Sequence, residues 1–267
     1  MQISQTNKDL ANDFLQNKVP LVTVAFWIIK ICATTVGETG GDALSMTMQL
    51  GYAVSSLIFL VLFGITLTVQ VASKRYHPFA YWSVVVATTT VGTTMSDYMD
   101  RTLGLGYIKS SFFLFCAVLA ILFIWRRVTG KIEFENIATR TDETFYWITI
   151  LVSNTLGTAL GDFVADDVGL GFQRGALLFT GMIVLVALAY FFTKIPRAVL
   201  FWAAYILTRP LGATLGDTLT KPYAAGGFDL SRIASSLVIA IIMVIGIIWV
   251  ARREQHRASR AVVAFPQ

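Results

Sequence analysis

Residues 27–51 read WIIKICATTVGETGGDALSMTMQLG, and the same frame returns at 82–106 (WSVVVATTTVGTTMSDYMDRTLGLG), 147–171 (WITILVSNTLGTALGDFVADDVGLG) and 202–226 (WAAYILTRPLGATLGDTLTKPYAAG). Each copy starts with Trp (Trp27, Trp82, Trp147, Trp202) and has Gly ten residues later (Gly37, Gly92, Gly157, Gly212). Fourteen residues after the Trp stands Gly or Ser (Gly41, Ser96, Gly161, Gly216), and fifteen after stands Asp (Asp42, Asp97, Asp162, Asp217). A Gly closes each frame at twenty-four (Gly51, Gly106, Gly171, Gly226), with no gap in any copy. Such in-register repetition marks tandem supersecondary units. The Trp spacings are 55, 65 and 55, so a pair of units has itself been duplicated and the chain reads as two similar halves.

Composition sets the solvent. With 55% hydrophobic and 14% charged residues among 267, and a mean hydropathy of +0.67, the chain is more apolar than soluble domains. Eight apolar stretches, near 19–37, 52–72, 79–98, 108–125, 145–163, 174–193, 198–216 and 233–250, approach the roughly 20 residues that a helix needs to cross a bilayer. The expected fold is an all-α membrane protein of eight transmembrane helices, two per repeat. All four repeats then share one orientation, and the halves are related by an axis along the membrane normal. The halves cover 19–125 and 145–250, joined by a charged linker at 126–144, with a leading segment at 1–18 and a basic tail at 251–267.

Fourteen of the 21 Lys and Arg residues fall on the side of both termini and five on the other, which places the termini in the cytoplasm. The net charge of +5 is thus a topology signal, not a nucleic-acid footprint. The start of the chain lacks the layout of a signal peptide, so the first span is expected to be retained. Cys32 and Cys116 have no metal-ligand spacing and read as packing residues. The spans contain no His, which argues against a zinc or Ser–His hydrolase built within them.

Each recurring residue has a physical reading. The Trp residues suit the interfacial aromatic belt. The pairs Gly37/Gly41, Gly92/Ser96, Gly157/Gly161 and Gly212/Gly216 are small-xxx-small pairs that let backbones approach closely. The odd-numbered helices are therefore expected at the centre, with the plainer even-numbered helices as an outer wall. The Gly at twenty-four marks the turn between the two helices of a unit.

Fifteen residues of helix rise about 22 Å, so each Asp lies in the outer half of the membrane or at its edge. Carboxylates there cost at least about 2.5–3.5 kcal/mol, which points to function. Asp97 precedes Arg101 by four residues and Asp217 precedes Lys221 by four, the spacing of pairs on one helix face. Glu38 precedes Asp42 by four and Asp162 precedes Asp166 by four, giving two acidic pairs, one from each half. Glu38, Asp42, Asp162 and Asp166 are the expected ligands of a hard divalent cation, with hydroxyls of Thr34, Thr35, Thr89, Thr90, Thr155 and Thr158 and the Asn154 amide as neutral oxygens. Asp97 and Asp217 are gating or secondary groups. Arg209, beside Pro210, is expected to pair with an acid of another repeat, and Pro210 to kink its helix. Lys30 is expected to snorkel to the cytoplasmic surface.

The four units with their Trp and Gly/Ser-Asp motifs resemble a bacterial membrane-protein family described as four repeats of unknown function, each with two transmembrane regions and a Trp. That resemblance covers residues 19–250 and implies the architecture and a bacterial inner membrane, with no substrate. Gly37-Glu38-Thr39-Gly40-Gly41-Asp42 is also similar to the Glu-x-Gly-Asp-Lys-Thr motif of manganese and calcium exporters, although Glu stands one place further from Asp and no Lys-Thr follows. The functional expectation is a non-enzymatic transporter of a small cation, divalent with manganese favoured, with export coupled to a proton gradient through intramembrane carboxylates. It works in the lipid bilayer without a cofactor or nucleic acid, as a single chain or a homo-oligomer. No Gly-x4-Gly-Lys-Ser/Thr motif is present, so active transport is expected to be gradient-driven or to need another subunit. A cation channel and an organic-solute transporter anchored by Arg101, Arg209 and Lys221 are the alternatives. An intramembrane aspartyl protease of the Gly-x-Gly-Asp type would need Gly where Thr39, Thr94, Ala159 and Thr214 stand.

Overall fold

Four cap sites set the starts of the helices that begin each repeat. The Thr23 hydroxyl accepts from Phe26 N at 3.3 Å, His77 Nδ1 from Ala80 N at 3.4 Å and the Thr139 hydroxyl from Asp142 N at 3.0 Å, while Pro196 precedes the fourth. Each supplies a partner or a pre-set φ where a helix N-terminus needs one. In the computed structural model, which describes residues 18–73, 76–132, 137 and 139–264, with side chains to residue 253, eight long helices follow. They are α1 (Val24–Asp42), α2 (Gly51–Ala72), α3 (Pro78–Asp97), α4 (Tyr107–Thr129), α5 (Arg140–Asp162), α6 (Gly171–Phe192), α7 (Arg197–Thr220) and α8 (Arg232–Ala264). No strand occurs among the described residues.

The inner helices α1, α3, α5 and α7 pack in sequence, α1 on α3, α3 on α5 and α5 on α7, and α7 returns to α1 to close a ring. Glycine makes this closure possible. A Cβ on Gly37 would collide with Thr89, on Gly92 with Asn154, on Gly157 with Arg209 and on Gly212 with Thr34. The Gly ten residues after each Trp therefore meets the residue seven after the Trp of the next repeat, and the fourth repeat meets the first in the same way. Across these contacts the Thr89 hydroxyl donates to Ala33 O at 3.1 Å and the Thr34 hydroxyl to Thr208 O at 3.2 Å, again at equivalent positions.

The outer helices are offset by one repeat: α2 packs on α3, α4 on α5, α6 on α7 and α8 on α1. Each unit thus covers the inner helix of its successor, which ties the tandem copies into one body. Among the described residues six helices are long and apolar enough to cross a membrane, which marks a multi-pass membrane protein. In α5 and α7 67% of the apolar window is buried, against 17–22% in α2, α4, α6 and α8, so the outer wall presents its Leu, Ile, Val and Phe to lipid. The remaining two, α1 and α3, carry Lys30, Glu38 and Asp42 or a run of Thr, and they keep these groups inside the ring.

Several expectations are corrected. Trp82, Trp147 and Trp202 are only 3% exposed, so they are not an interfacial belt. They form an aromatic girdle at one end of the ring in which Phe26 packs on Trp82 (5.5 Å between ring centroids), Tyr81 on Trp147 (5.6 Å), Tyr146 on Trp202 (5.7 Å) and Phe201 on Trp27 (5.8 Å). The residue before each Trp thus stacks on the Trp of the next repeat. The linker expected at 126–144 is shorter, because α4 runs to Thr129 and α5 begins at Arg140. The tail continues as helix to Ala264. The expected segment 1–18 lies outside the described residues except for Lys18, whose ammonium bonds Glu143 Oε2 at 2.9 Å, and Lys74 and Arg75 lie outside them too.

Candidate functional site

Ring closure stacks the repeat positions in tiers along a common axis. From the aromatic girdle outward, the tier seven residues after each Trp holds Thr34, Thr89, Asn154 and Arg209. The tier at eleven holds Glu38, Thr93, Thr158 and Ala213, and the tier at fifteen holds the four Asp residues. Every residue in these three tiers is buried.

Arg209 fills the axis. Its Nη2 donates to Glu38 Oε2 at 2.9 Å, to the Thr158 hydroxyl at 2.7 Å, to the Thr93 hydroxyl and to Thr89 O at 3.4 Å, while Nη1 reaches Thr34 O at 3.5 Å. One guanidinium from α7 thereby touches α1, α3 and α5. The fork of donors that lets Arg make several directed bonds at once suits this position as no other cation would. The Thr93 hydroxyl also bonds Glu38 Oε2 at 3.2 Å, so the carboxylate is held from two sides. α7 continues as one helix through Pro210, whose ring packs beside Gly157.

Above this plug the Asp tier is bridged by bases at alternate junctions. Arg101 Nε lies 3.1 Å from Asp97 of its own repeat, and Nη2 lies 3.7 Å from Asp162 of the next. Lys221 Nζ lies 3.4 Å from Asp217 of its own repeat and 3.6 Å from Asp42 of the first. Arg232, opening α8, adds Nε at 3.5 Å from Asp42. Fourfold in its packing, the ring is twofold in its charges. Lys221 follows the last residue of the α7 span. Burial works against its charge, yet Asp217 and Asp42 hold its ammonium above the usual lysine range.

Three inner helices leave this tier by the same device. Directly after the Asp, each of α1, α3 and α5 passes into one π-helical turn, Ala43–Thr47, Tyr98–Thr102 and Phe163–Asp167. Such turns concentrate at functional sites. In the fourth repeat Lys221-Pro222 replaces it, followed by a short 3-10 turn at Tyr223–Ala225. The Gly at twenty-four has φ of +74°, +76°, +72° and +82° in the four copies, a region that excludes most other residues.

The sequence-predicted groups fall into three sets. One oxygen each from Glu38, Asp42 and Asp217 lie within 4.8 Å of one another, a geometry that can hold a metal ion. Asp162 is drawn instead to Arg101, which it shares with Asp97. Asp166 is exposed and stands apart from the buried carboxylates. The predicted quartet of Glu38, Asp42, Asp162 and Asp166 is therefore not a single cluster, because ring closure brings the fourth repeat, not the third, against the first. Thr34 and Thr89 hydroxyls are spent on helix carbonyls. Lys30 does not snorkel: it is fully buried, with Nζ 4.1 Å from the Tyr205 ring centroid.

Residues not singled out from sequence also serve the site. Tyr52 and Tyr107, each directly after a turn Gly, accept from Arg101 at 3.2 and 3.0 Å and aim it at the axis. Asp100 is buried between the Ser96 hydroxyl at 3.2 Å and that of Ser110. The aromatic that follows the turn Gly was the available signal for Tyr52 and Tyr107, whereas Arg232 carried none, since it belongs to the helix outside the repeated frame.

A family model described as a Repeat of Unknown Function (DUF347) matches four times, at residues 25–76, 80–131, 145–195 and 200–256. No curated protein and no solved structure matches the chain.

Proposed function

For a chain that belongs to the DUF347 repeat family, we propose a transporter of a small hard cation, divalent with manganese favoured, that exports its cargo across a bacterial inner membrane in exchange for protons. All eight helices cross the bilayer, with the girdle end and both termini in the cytoplasm. The observation that carries this reading is the approach of Glu38, Asp42 and Asp217 oxygens to within 4.8 Å in a buried tier. Carboxylate oxygens at this spacing suit magnesium, calcium or manganese, not the soft metals that favour thiolate.

The basic neighbours fit transport better than permanent metal storage. Five carboxylates (Glu38, Asp42, Asp97, Asp162, Asp217) face four bases (Arg101, Arg209, Lys221, Arg232), so the tier is nearly neutral without cargo. A side-chain ammonium at 3.4–3.6 Å from Asp217 and Asp42 occupies the place of a cation and gives it up when cargo arrives. Arg209 closes the axis beneath, which favours alternating access over an open channel.

The test is flux into liposomes carrying the purified protein, read with a manganese-sensitive dye, with and without a pH gradient. Wild type is expected to move manganese, and Asp42→Asn with Asp217→Asn to stop it while the protein keeps its thermal transition. Equal flux in the folded double variant overturns the reading.

A further inference from the structure

Lys30 sits on the axis one tier inside Arg209 and takes no part in the carboxylate site. Its ammonium nitrogen is fully buried and has no hydrogen-bond partner among the described residues. It lies over the face of the Tyr205 ring, 4.1 Å from the ring centroid. Intramembrane charges ordinarily pair with an acid, and a buried lysine without one marks a group whose protonation is used.

The surroundings are built for such use. The titratable groups that meet it are Tyr205 and Arg209 of α7, and beyond Tyr205 lie Tyr81 of α3 and Tyr146 of α5. The Tyr81 and Tyr146 hydroxyls bond each other at 2.6 Å, and the fully buried Tyr205 lies beside them. On the other side of α1, α8 offers only apolar Met243, Gly246 and Ile247 at this level. Among the described residues no carboxylate pairs with Lys30, so no counter-ion fixes it in the charged state.

We propose that Lys30 is the proton-binding site that couples export to proton entry. This rests on the cation-transport reading above. A proton taken up from the outer side binds the Lys30 nitrogen lone pair to give the ammonium, and it leaves to cytoplasmic water when cargo loads, restoring the amine. No other bond changes. Exclusion is electrostatic: Lys30 and Glu38 lie eight residues apart on α1, about 12 Å of helix rise. At an effective dielectric of about 20, each unit charge at that distance shifts the protonation equilibrium about tenfold, and a divalent cargo shifts it about a hundredfold. Linkage is reciprocal, so a protonated Lys30 weakens cargo binding by the same factor.

Lys30→Met and Lys30→Arg separate this role from a structural one, because Arg preserves the charge and the ring contact but does not release its proton. In liposomes with a manganese dye outside and a pH dye inside, wild type is expected to exchange protons for manganese and to concentrate it against its gradient. Both variants are expected to lose the proton counterflow and let manganese run only downhill. Rescue of counterflow by Lys30→Arg, or its persistence in Lys30→Met, overturns the assignment and leaves the transport reading standing. Absence of manganese flux through wild type overturns that reading and this inference together.

Discussion

Arg209 of the fourth repeat donates to Glu38 of the first at 2.9 Å, with both side chains shut off from solvent, and so joins the two ends of the repeated sequence. Removing either partner leaves a buried charge uncompensated, at a cost of about 3–5 kcal/mol, whereas removing both leaves none. Arg209→Met and Glu38→Gln are each expected to lower the thermal transition in detergent strongly. The double variant should recover much of the loss, as a double-mutant cycle would measure.

Gly212 is one of the tight junctions in the ring, where an added Cβ would strike the Thr34 side chain and approach the Thr34 backbone carbon to 2.9 Å. Gly212→Ala therefore forces α1 and α7 apart, with an expected loss of about 1–3 kcal/mol, as overpacking typically gives. Gly64 on α2 and Gly181 on α6 have nothing within 4 Å of the same position. Alanine there gains helix propensity of up to about 1 kcal/mol, so the two classes should shift the transition in opposite directions.

The Gly and Asp frame was legible because those positions demand one residue type in every copy: close approach requires no side chain, and the outer tier requires an acid. The residues they meet were not legible as partners, because Thr34, Thr89, Asn154 and Arg209 share a position and a contact but no chemistry. The grouping of the acids was not legible for a related reason. Spacing of four residues reports neighbours on one helix, as with Asp97 and Arg101, but Asp217 reaches Asp42 only through closure of the ring. Trp was misplaced because a girdle facing inward and a belt facing lipid read alike in a single sequence. Phe26, Tyr81, Tyr146 and Phe201, each directly before a Trp, were the readable sign of a continuous aromatic layer.

Arg101 makes four contacts that a lysine has no geometry to reproduce: Asp97 at 3.1 Å, Asp162 at 3.7 Å, Tyr107 at 3.0 Å and Tyr52 at 3.2 Å. Arg101→Lys keeps the charge but loses the planar fork. It is expected to cost about 1–3 kcal/mol, typical of hydrogen bonds to a charged group, and to slow manganese flux. Stability and flux equal to wild type would show that charge alone is required at this junction.

Lys221 bridges the other junction with a single nitrogen, and its role follows from what it competes with. The ammonium lies 3.4 Å from Asp217 and 3.6 Å from Asp42, two of the three carboxylates proposed to hold the cargo. A divalent cation entering that triad must push this charge aside, so part of its binding energy is spent on displacing Lys221. Lys221→Met removes the competitor while its apolar stem still packs, and the tier gains one net negative charge. Manganese affinity, measured by titration calorimetry on the detergent-solubilised protein, is expected to rise on the order of tenfold or more, equivalent to about 1.4 kcal/mol. Release then becomes the slow step, so turnover in liposomes should fall as affinity rises. Weaker binding in a folded Lys221→Met protein would mean that the ammonium holds the carboxylates in place for the cargo instead of standing in for it.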